Sequence, residues 1–276
     1  MFGKLLTDIG GLWTKYGSSY LDGIANTLIL ATVATLIGCI IGFFCGILQT
    51  IPYNSNDFIV KRFILKLIRI IIRAYVEIFR GTPMILQAVF IYYGLPYFFK
   101  ISFTDIWVVS ILVVSINTGA YMAESVRGGI MSIDKGQFEG AKAIGMNHWQ
   151  TMLYIVLPQT LRNILPQIGN NYIINVKDTS VMFIIGFSDF FAVHKMVSGA
   201  VFKYFPSAFM EMIGYLCLTL LASFLLRKFE KKLAGKSNYE LVSTDQLVMT
   251  AGTYSLPGDS GSPFAELSKD YKGEQK

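Results

Sequence analysis

The chain predicts an all-α, polytopic membrane helical bundle, and three observations carry that prediction. Hydrophobic residues make up 53% of the 276 residues and charged residues 15%, against about 25% charged in an ordinary soluble domain. From Gly23 to Tyr53 there is no Asp, Glu, Lys or Arg, and a helix needs only about 20 such residues to cross roughly 30 Å of hydrocarbon. Further apolar runs follow, flanked by Lys and Arg. The net charge of +6 sits in those flanks, where cytoplasmic loops carry their excess of cations, so it does not point to nucleic acid.

Residues 1–19 hold Lys4, Asp8 and Lys15, with Leu5, Ile9, Leu12, Trp13 and Tyr16 at helical spacing. No uninterrupted apolar core of a cleavable leader is present. A short amphipathic helix lying at the membrane surface is expected there. The first span runs from about Leu21 to Leu48. Its Gly38, Gly42 and Gly46 recur every fourth residue, a small-residue face that lets another helix approach closely.

After a polar loop at 52–57 come Lys61, Arg62, Lys66, Arg69 and Arg73 among apolar residues, which marks a cytoplasmic flank. A single helix over 63–97 would be about 50 Å long, more than a bilayer needs. A break at Gly81-Thr82-Pro83 resolves this, because proline removes a backbone donor and kinks a helix. The second crossing therefore includes that break. A third span is expected over about Thr104–Val126, a fourth over Leu161–Phe187 and a fifth over Ser207–Leu226. The fifth ends in Arg227, Lys228, Lys231, Lys232 and Lys236, a second cytoplasmic anchor. Five spans with the N-terminus outside and the C-terminus inside satisfy both basic flanks, in a helical domain of residues 20–232.

Residues 233–276 are rich in Ser, Gly, Thr and charge and predict a disordered cytoplasmic tail. Gly235-Lys236-Ser237 matches the end of a phosphate loop, but the earlier glycine that loop needs is Glu230, so no ATP site is expected on this chain. Cys39, Cys45 and Cys217 lie in apolar runs without metal-ligand spacing and read as packing residues. The two histidines, His148 and His194, form no catalytic or metal constellation, so an enzyme is not expected.

Residues 136–158 form the polar segment between the third and fourth spans. Within it Glu139, Ala141, Gly145, Ile155, Leu157 and Pro158 stand at a defined spacing. Small and helix-forming residues from Glu139 to Gly145, then His148-Trp149-Gln150, predict a short helix, a glycine turn and a second helix. Glu139 near the start of the first helix meets its positive end. Such an element can lay one face in a groove of a soluble partner.

This pattern resembles the cytoplasmic coupling loop of permease subunits of ATP-binding-cassette importers. Further segments narrow the resemblance to the polar amino acid uptake family, which includes histidine, arginine and glutamine importers. They are Asn26-Thr27-Leu28, Glu77 to Pro83, Gly119 to Ile130, and Lys177-Asp178-Thr179-Ser180. The resemblance covers about residues 20–232 and implies a type I importer permease fold in the cell membrane. Under it, Glu139, Gly140, Ala141, Gly145 and His148 face an ATPase. The implied partners are two ATPase subunits, a second copy or a paralogue of this chain, an extracellular or periplasmic solute-binding protein, and membrane lipid. ATP and Mg would sit on the ATPase, and this chain would hold no cofactor. The competing reading is a secondary amino acid transporter driven by an ion gradient, for which an inverted repeat would be the signature; none is visible.

Charges within membrane segments are functional candidates by default. Arg73, Glu77 and Arg80 share one helix face at i, i+4 and i+7, and Glu124 and Arg127 stand at i and i+3, so both sets read as ion-paired helix networks. Asn171, Asn175 and Asp178 share a polar face of the fourth span, a candidate site for an amino acid's ammonium group or side chain. In relatives that import basic amino acids the position of Asn171 is often Glu. Asparagine here removes one negative charge, so the resemblance weakens the case for a basic solute and leaves a neutral polar amino acid such as glutamine at least as good a match.

Overall fold

The computed structural model describes residues 2–52 and 58–234. The expected tail over 233–276 therefore lies almost wholly outside the described residues. The described residues fold as helices: α1 (Phe2–Thr50), α2 (Ile59–Gly81), α3 (Met84–Val89), α4 (Leu95–Phe99), α5 (Ile106–Met131), α6 (Lys135–Ala143), α7 (His148–Thr151), α8 (Leu157–Asp178), α9 (Phe190–Val201) and α10 (Tyr204–Ala234). By length and composition Gly3–Thr50, Ile106–Met131 and Tyr204–Lys232 can cross a membrane, and a pair bent by 53°, His148–Ile185 with Phe190–Val201, adds a fourth candidate.

Helix α1 is unbroken. The boundary expected near residue 20 is not a change of element, and the amphipathic stretch forms the first turns of one long helix. The reason is a protein surface waiting for its apolar stripe. Leu12 and Tyr20 pack with Phe190, Val193 and Val197 of α9, and Asp8 pairs with Lys203 at 2.6 Å.

The glycine face of α1 meets α5 in register. A Cβ on Gly38 would lie 2.6 Å from the Thr118 Cβ, one on Gly46 would lie 2.6 Å from that of Val126, and one on Gly42 would overlap Met122. Glycine at every fourth position thus brings two helices together over two turns. On the same α5 face, Met122, Val126 and Ile130 form a core with Met152, Val156 and Ile164. That core carries α6 and α7 at one end of the bundle. At the other end Leu30, Val109, Val113, Met182 and Phe187 form a second core.

The helix break occurs where the sequence places it. Thr82 and Pro83 are extended, and the chain resumes as α3, a wide turn at Phe90–Gly94 and α4. The carbonyl groups that the break releases are recovered by side chains. The Gln87 amide donates to the carbonyl oxygens of Phe79 and Thr82, both at 2.9 Å. Asn117 of α5 donates to Phe79 at 3.1 Å and to Gln87 Oε1 at 3.0 Å. Broken helices survive in apolar surroundings when their freed backbone groups find such partners.

Candidate solute path and coupling element

Three helices supply the polar face of the bundle. The break after α2 exposes Arg80, Thr82 and Pro83. The middle of α5 adds Asn117 and Tyr121, and α8 adds Gln167, Asn171 and Asp178. Together these line an open cavity of about 560 Å³. The sequence-predicted trio lies on it, but its members differ in role. The Asn175 amide donates to Thr35 of α1 at 2.7 Å and to Thr118 of α5 at 2.9 Å, so it locks three helices together. Asn171 is buried, and its amide donates to the Gln167 carbonyl at 3.0 Å and to Met122 Sδ at 3.3 Å. Asp178 is half-buried, and among the described residues its carboxylate has no hydrogen-bond or ion-pair partner. It is the group of the three left open to a ligand.

The helix network is rearranged relative to expectation. The ion pair joins Arg80 of α2 to Glu124 of α5, with the guanidinium 5.2 Å from the Tyr121 ring centre. The within-helix pairs expected among Arg73, Glu77 and Arg80, and between Glu124 and Arg127, do not form within 4.0 Å among the described residues. Helical spacing brings such side chains near one another, but a neighbouring helix offers Arg80 a carboxylate and an aromatic face together. All five residues line a second cavity of about 270 Å³, with Arg80 common to both.

Gln87, Asn117 and Thr118 were not singled out by sequence reasoning, and Tyr121 entered only as part of the Gly119–Ile130 segment. Their signal was present in part: polar residues within apolar runs, beside the Pro83 break.

The 136–158 segment folds as its sequence predicts. Asp134 caps α6 through the Gly136 amide, and Gly145 takes φ 81°, a left-handed conformation that glycine adopts without strain. Asn147 and Gln150 then cap α7 reciprocally at 2.9 and 2.8 Å. Glu139 sits in the second turn of α6 rather than at its start. Ala141 is buried, anchoring α6 to the bundle, whereas Glu139, Gly140, Gly145 and His148 are exposed. Ile144 and Trp149 are 77% and 69% exposed, so the element presents a small apolar platform with a polar surround. The His148 pKa lies below the usual histidine value, lowered first by partial burial and then by Lys142 and Lys61. His194 is buried in α9, with Nδ1 2.8 Å from Ser207 Oγ.

Residues 58–235 match the family described as the binding-protein-dependent transport system inner membrane component. The chain belongs to that family. It is 32% identical over 214 residues to the glutamine transport system permease protein GlnP of Escherichia coli K12, covering 77% of this chain and 92% of the relative. A putative glutamine transport system permease protein of Rickettsia typhi is 32% identical over 213 residues, with the same coverage of both chains. A solved amino acid ABC transporter with histidines aligns at TM-score 0.69 and 32% identity, covering 79% of this chain and 96% of that one. The MetNI methionine transporter, at 17% identity and TM-score 0.66, shares the fold. The protein is therefore a membrane permease subunit of an ATP-driven importer and not an enzyme, and the ion-gradient reading gives way. Permeases of this kind work in general with ATPase subunits and a solute-binding protein. One segment that carried the resemblance, Asn26-Thr27-Leu28, has visible structural work in this permease. Asn26 donates to the Ser188 carbonyl at 2.8 Å, and Thr27 accepts from the Phe190 amide at 3.1 Å, which fixes the start of α9 on α1.

Proposed function

We propose that this permease imports a neutral polar amino acid through the cavity lined by Arg80, Asn117, Tyr121, Asn171 and Asp178. The observation that carries the reading is the open Asp178 carboxylate, set among amide and hydroxyl groups in a cavity large enough to admit an amino acid. A carboxylate without an ion-pair partner at membrane depth is costly, and a substrate ammonium group would satisfy it. The glutamine-named relatives fit a cavity with one carboxylate and an amide at residue 171. Glu139, Gly140, Ala141, Gly145 and His148 belong to the ATPase-facing element, with Ile144 and Trp149 as its apolar anchors.

The composite α2–α4 makes the second of five crossings, with the N-terminus outside and α6–α7 in the cytoplasm, in line with the basic flanks. Two permease subunits, as a homodimer or with a paralogue, enclose the path. Closure of the ATPases beneath them draws the coupling elements together and alternates the opening of the path.

The test is uptake of labelled L-glutamine by vesicles carrying the permease, its ATPase and its binding protein. Asp178→Asn removes the charge with little change in shape. Uptake is expected to fall about tenfold or more, the scale of a lost charge-assisted hydrogen bond, while membrane insertion is retained. Wild-type uptake by D178N would refute the site.

A further inference from the structure

The second cavity is not explained by ion pairing. Four guanidinium groups line it, from Arg69, Arg73, Arg80 and Arg127, against two carboxylates, Glu77 and Glu124. Arg80 and Glu124 neutralise each other. Arg69 Nη2 donates to the Ile51 carbonyl at 2.5 Å, which ties α2 to the end of α1. Arg73 and Arg127 have no carboxylate within 4.0 Å among the described residues, and Arg127 Nη1 meets the weak thioether acceptor of Met131 at 3.3 Å. With Glu77 counted in full, the walls retain an excess of positive charge. Arginine is the side chain whose planar fork matches a carboxylate with two parallel hydrogen bonds. Arg73 is exposed and Arg127 half-buried on the wall of this open cavity, so their donors are accessible to an anion, which a guanidinium binds by charge-assisted hydrogen bonds.

Position gives the anion its identity. Arg80 lines both cavities. A ligand leaving Asp178 toward the end of the bundle that holds α6 and α7 therefore passes the Arg80–Glu124 pair and then meets Arg73 and Arg127. An amino acid carries the complementary groups, an ammonium for the first station and an α-carboxylate for the second. We propose that the arginine-lined cavity is a second solute station, in which Arg73 and Arg127 receive the α-carboxylate of the amino acid as it leaves the Asp178 cavity. The Arg80–Glu124 pair separates the two stations. This rests on the amino acid reading above.

Arginine-specific modification with phenylglyoxal tests the proposal on the wild-type permease–ATPase complex, with each site followed by peptide mass spectrometry. Saturating L-glutamine is expected to slow modification of Arg73 and Arg127 about tenfold. Its decarboxylated amine, 4-aminobutanamide, is expected to leave them unprotected, and exposed Arg227 serves as the internal control. In uptake assays the R73Q/R127Q double variant is expected to lose about tenfold. Equal protection by the amine, absence of protection in a preparation that imports glutamine, or wild-type uptake by the double variant would each overturn the station. Protection by phosphatidylglycerol in phosphatidylcholine vesicles without any amino acid would mark a lipid-headgroup site instead and would also overturn it. A preparation that imports no amino acid at all removes the underlying reading as well, so the two failures are distinguishable.

Discussion

Replacing Gly42 with alanine adds one methyl group at the tightest approach of α1 to α5. The new Cβ would lie 2.8 Å from the Ala123 backbone nitrogen and 2.8 Å from the Met122 carbonyl carbon. The Met122 Cβ is nearer still, and since ordinary carbon contacts begin near ~3.5 Å, the helices must separate by more than about 0.7 Å. Backbone atoms inside a helix cannot swing aside as a side chain can, and both neighbouring glycines are packed on the same face. Overpacking of this sort costs about 1–3 kcal/mol, which exceeds the roughly 0.8–1 kcal/mol that alanine gains over glycine in helix propensity. Gly10 supplies the control, since it sits in the same helix with nothing within 4 Å of an added Cβ. There only the propensity gain applies. Detergent-solubilised variants followed by thermal unfolding should diverge, G42A melting below wild type and G10A at or above it. For a domain of this size the scale is about 2–4 °C per kcal/mol. A G42A protein as stable as G10A would show that the glycine face is not what seats α1 on α5.

Two further outcomes follow from the polar groups. Gln87→Leu keeps the buried volume but takes the side-chain donor from the Thr82 carbonyl, one of two donors from the Phe79 carbonyl, and the acceptor from Asn117. A loss of about 1–3 kcal/mol is expected, read as a lower melting temperature, and an unchanged melting temperature would refute the bridging role. The His148 imidazole should titrate by NMR below the usual histidine value of about 6.5, so it is neutral at pH 7 and gains its proton only as the pH falls below that value. Lys142→Gln should move the midpoint upward, because Lys142 is one of the groups that lower it; an unmoved midpoint would assign the effect to burial and Lys61 alone.

Local chemistry made much of the chain legible. The break at Pro83, the Gly145 turn and the Asn147–Gln150 cap are each decided by residues within a few positions of one another, so their types suffice. Partners across helices were not legible in the same way. Periodicity put Arg80 beside Glu77, yet the carboxylate it found was Glu124, which lies on α5. Asn171, Asn175 and Asp178 were correctly placed on one face, but Asn175 turns out to tie α8 to Thr35 and Thr118. Only the approach of α1 to α5 and α8 decides that, and a single sequence does not encode it locally. The N-terminal stripe shows the same limit. Leu12, Tyr16 and Tyr20 have the period of a buried face, but whether membrane or α9 covers it depends on the fold returning to the same end.

The polar face also bears on assembly. Arg73, Glu77, Arg80, Thr82, Tyr121 and Gln167 are all exposed on one chain, and on the five-crossing reading they stand at membrane depth. Hydrocarbon offers these groups no hydrogen bonds and penalises each charge by several kcal/mol, roughly 2.5–3.5 on insertion scales. A lipid-facing surface of that composition would be unstable. The opposite side of α1, with Ile29, Leu36, Ile40 and Phe44 exposed, has the composition that lipid accepts. On the two-subunit reading proposed above, the polar face stands against water and the second permease subunit. Each cavity is then half of an enclosure, and a solute held at Asp178 or Arg73 would touch both subunits. For that reason a substitution at either position in a homodimer acts twice on one path, and a mixed dimer carrying a single D178N subunit should transport at a rate between those of the two pure forms.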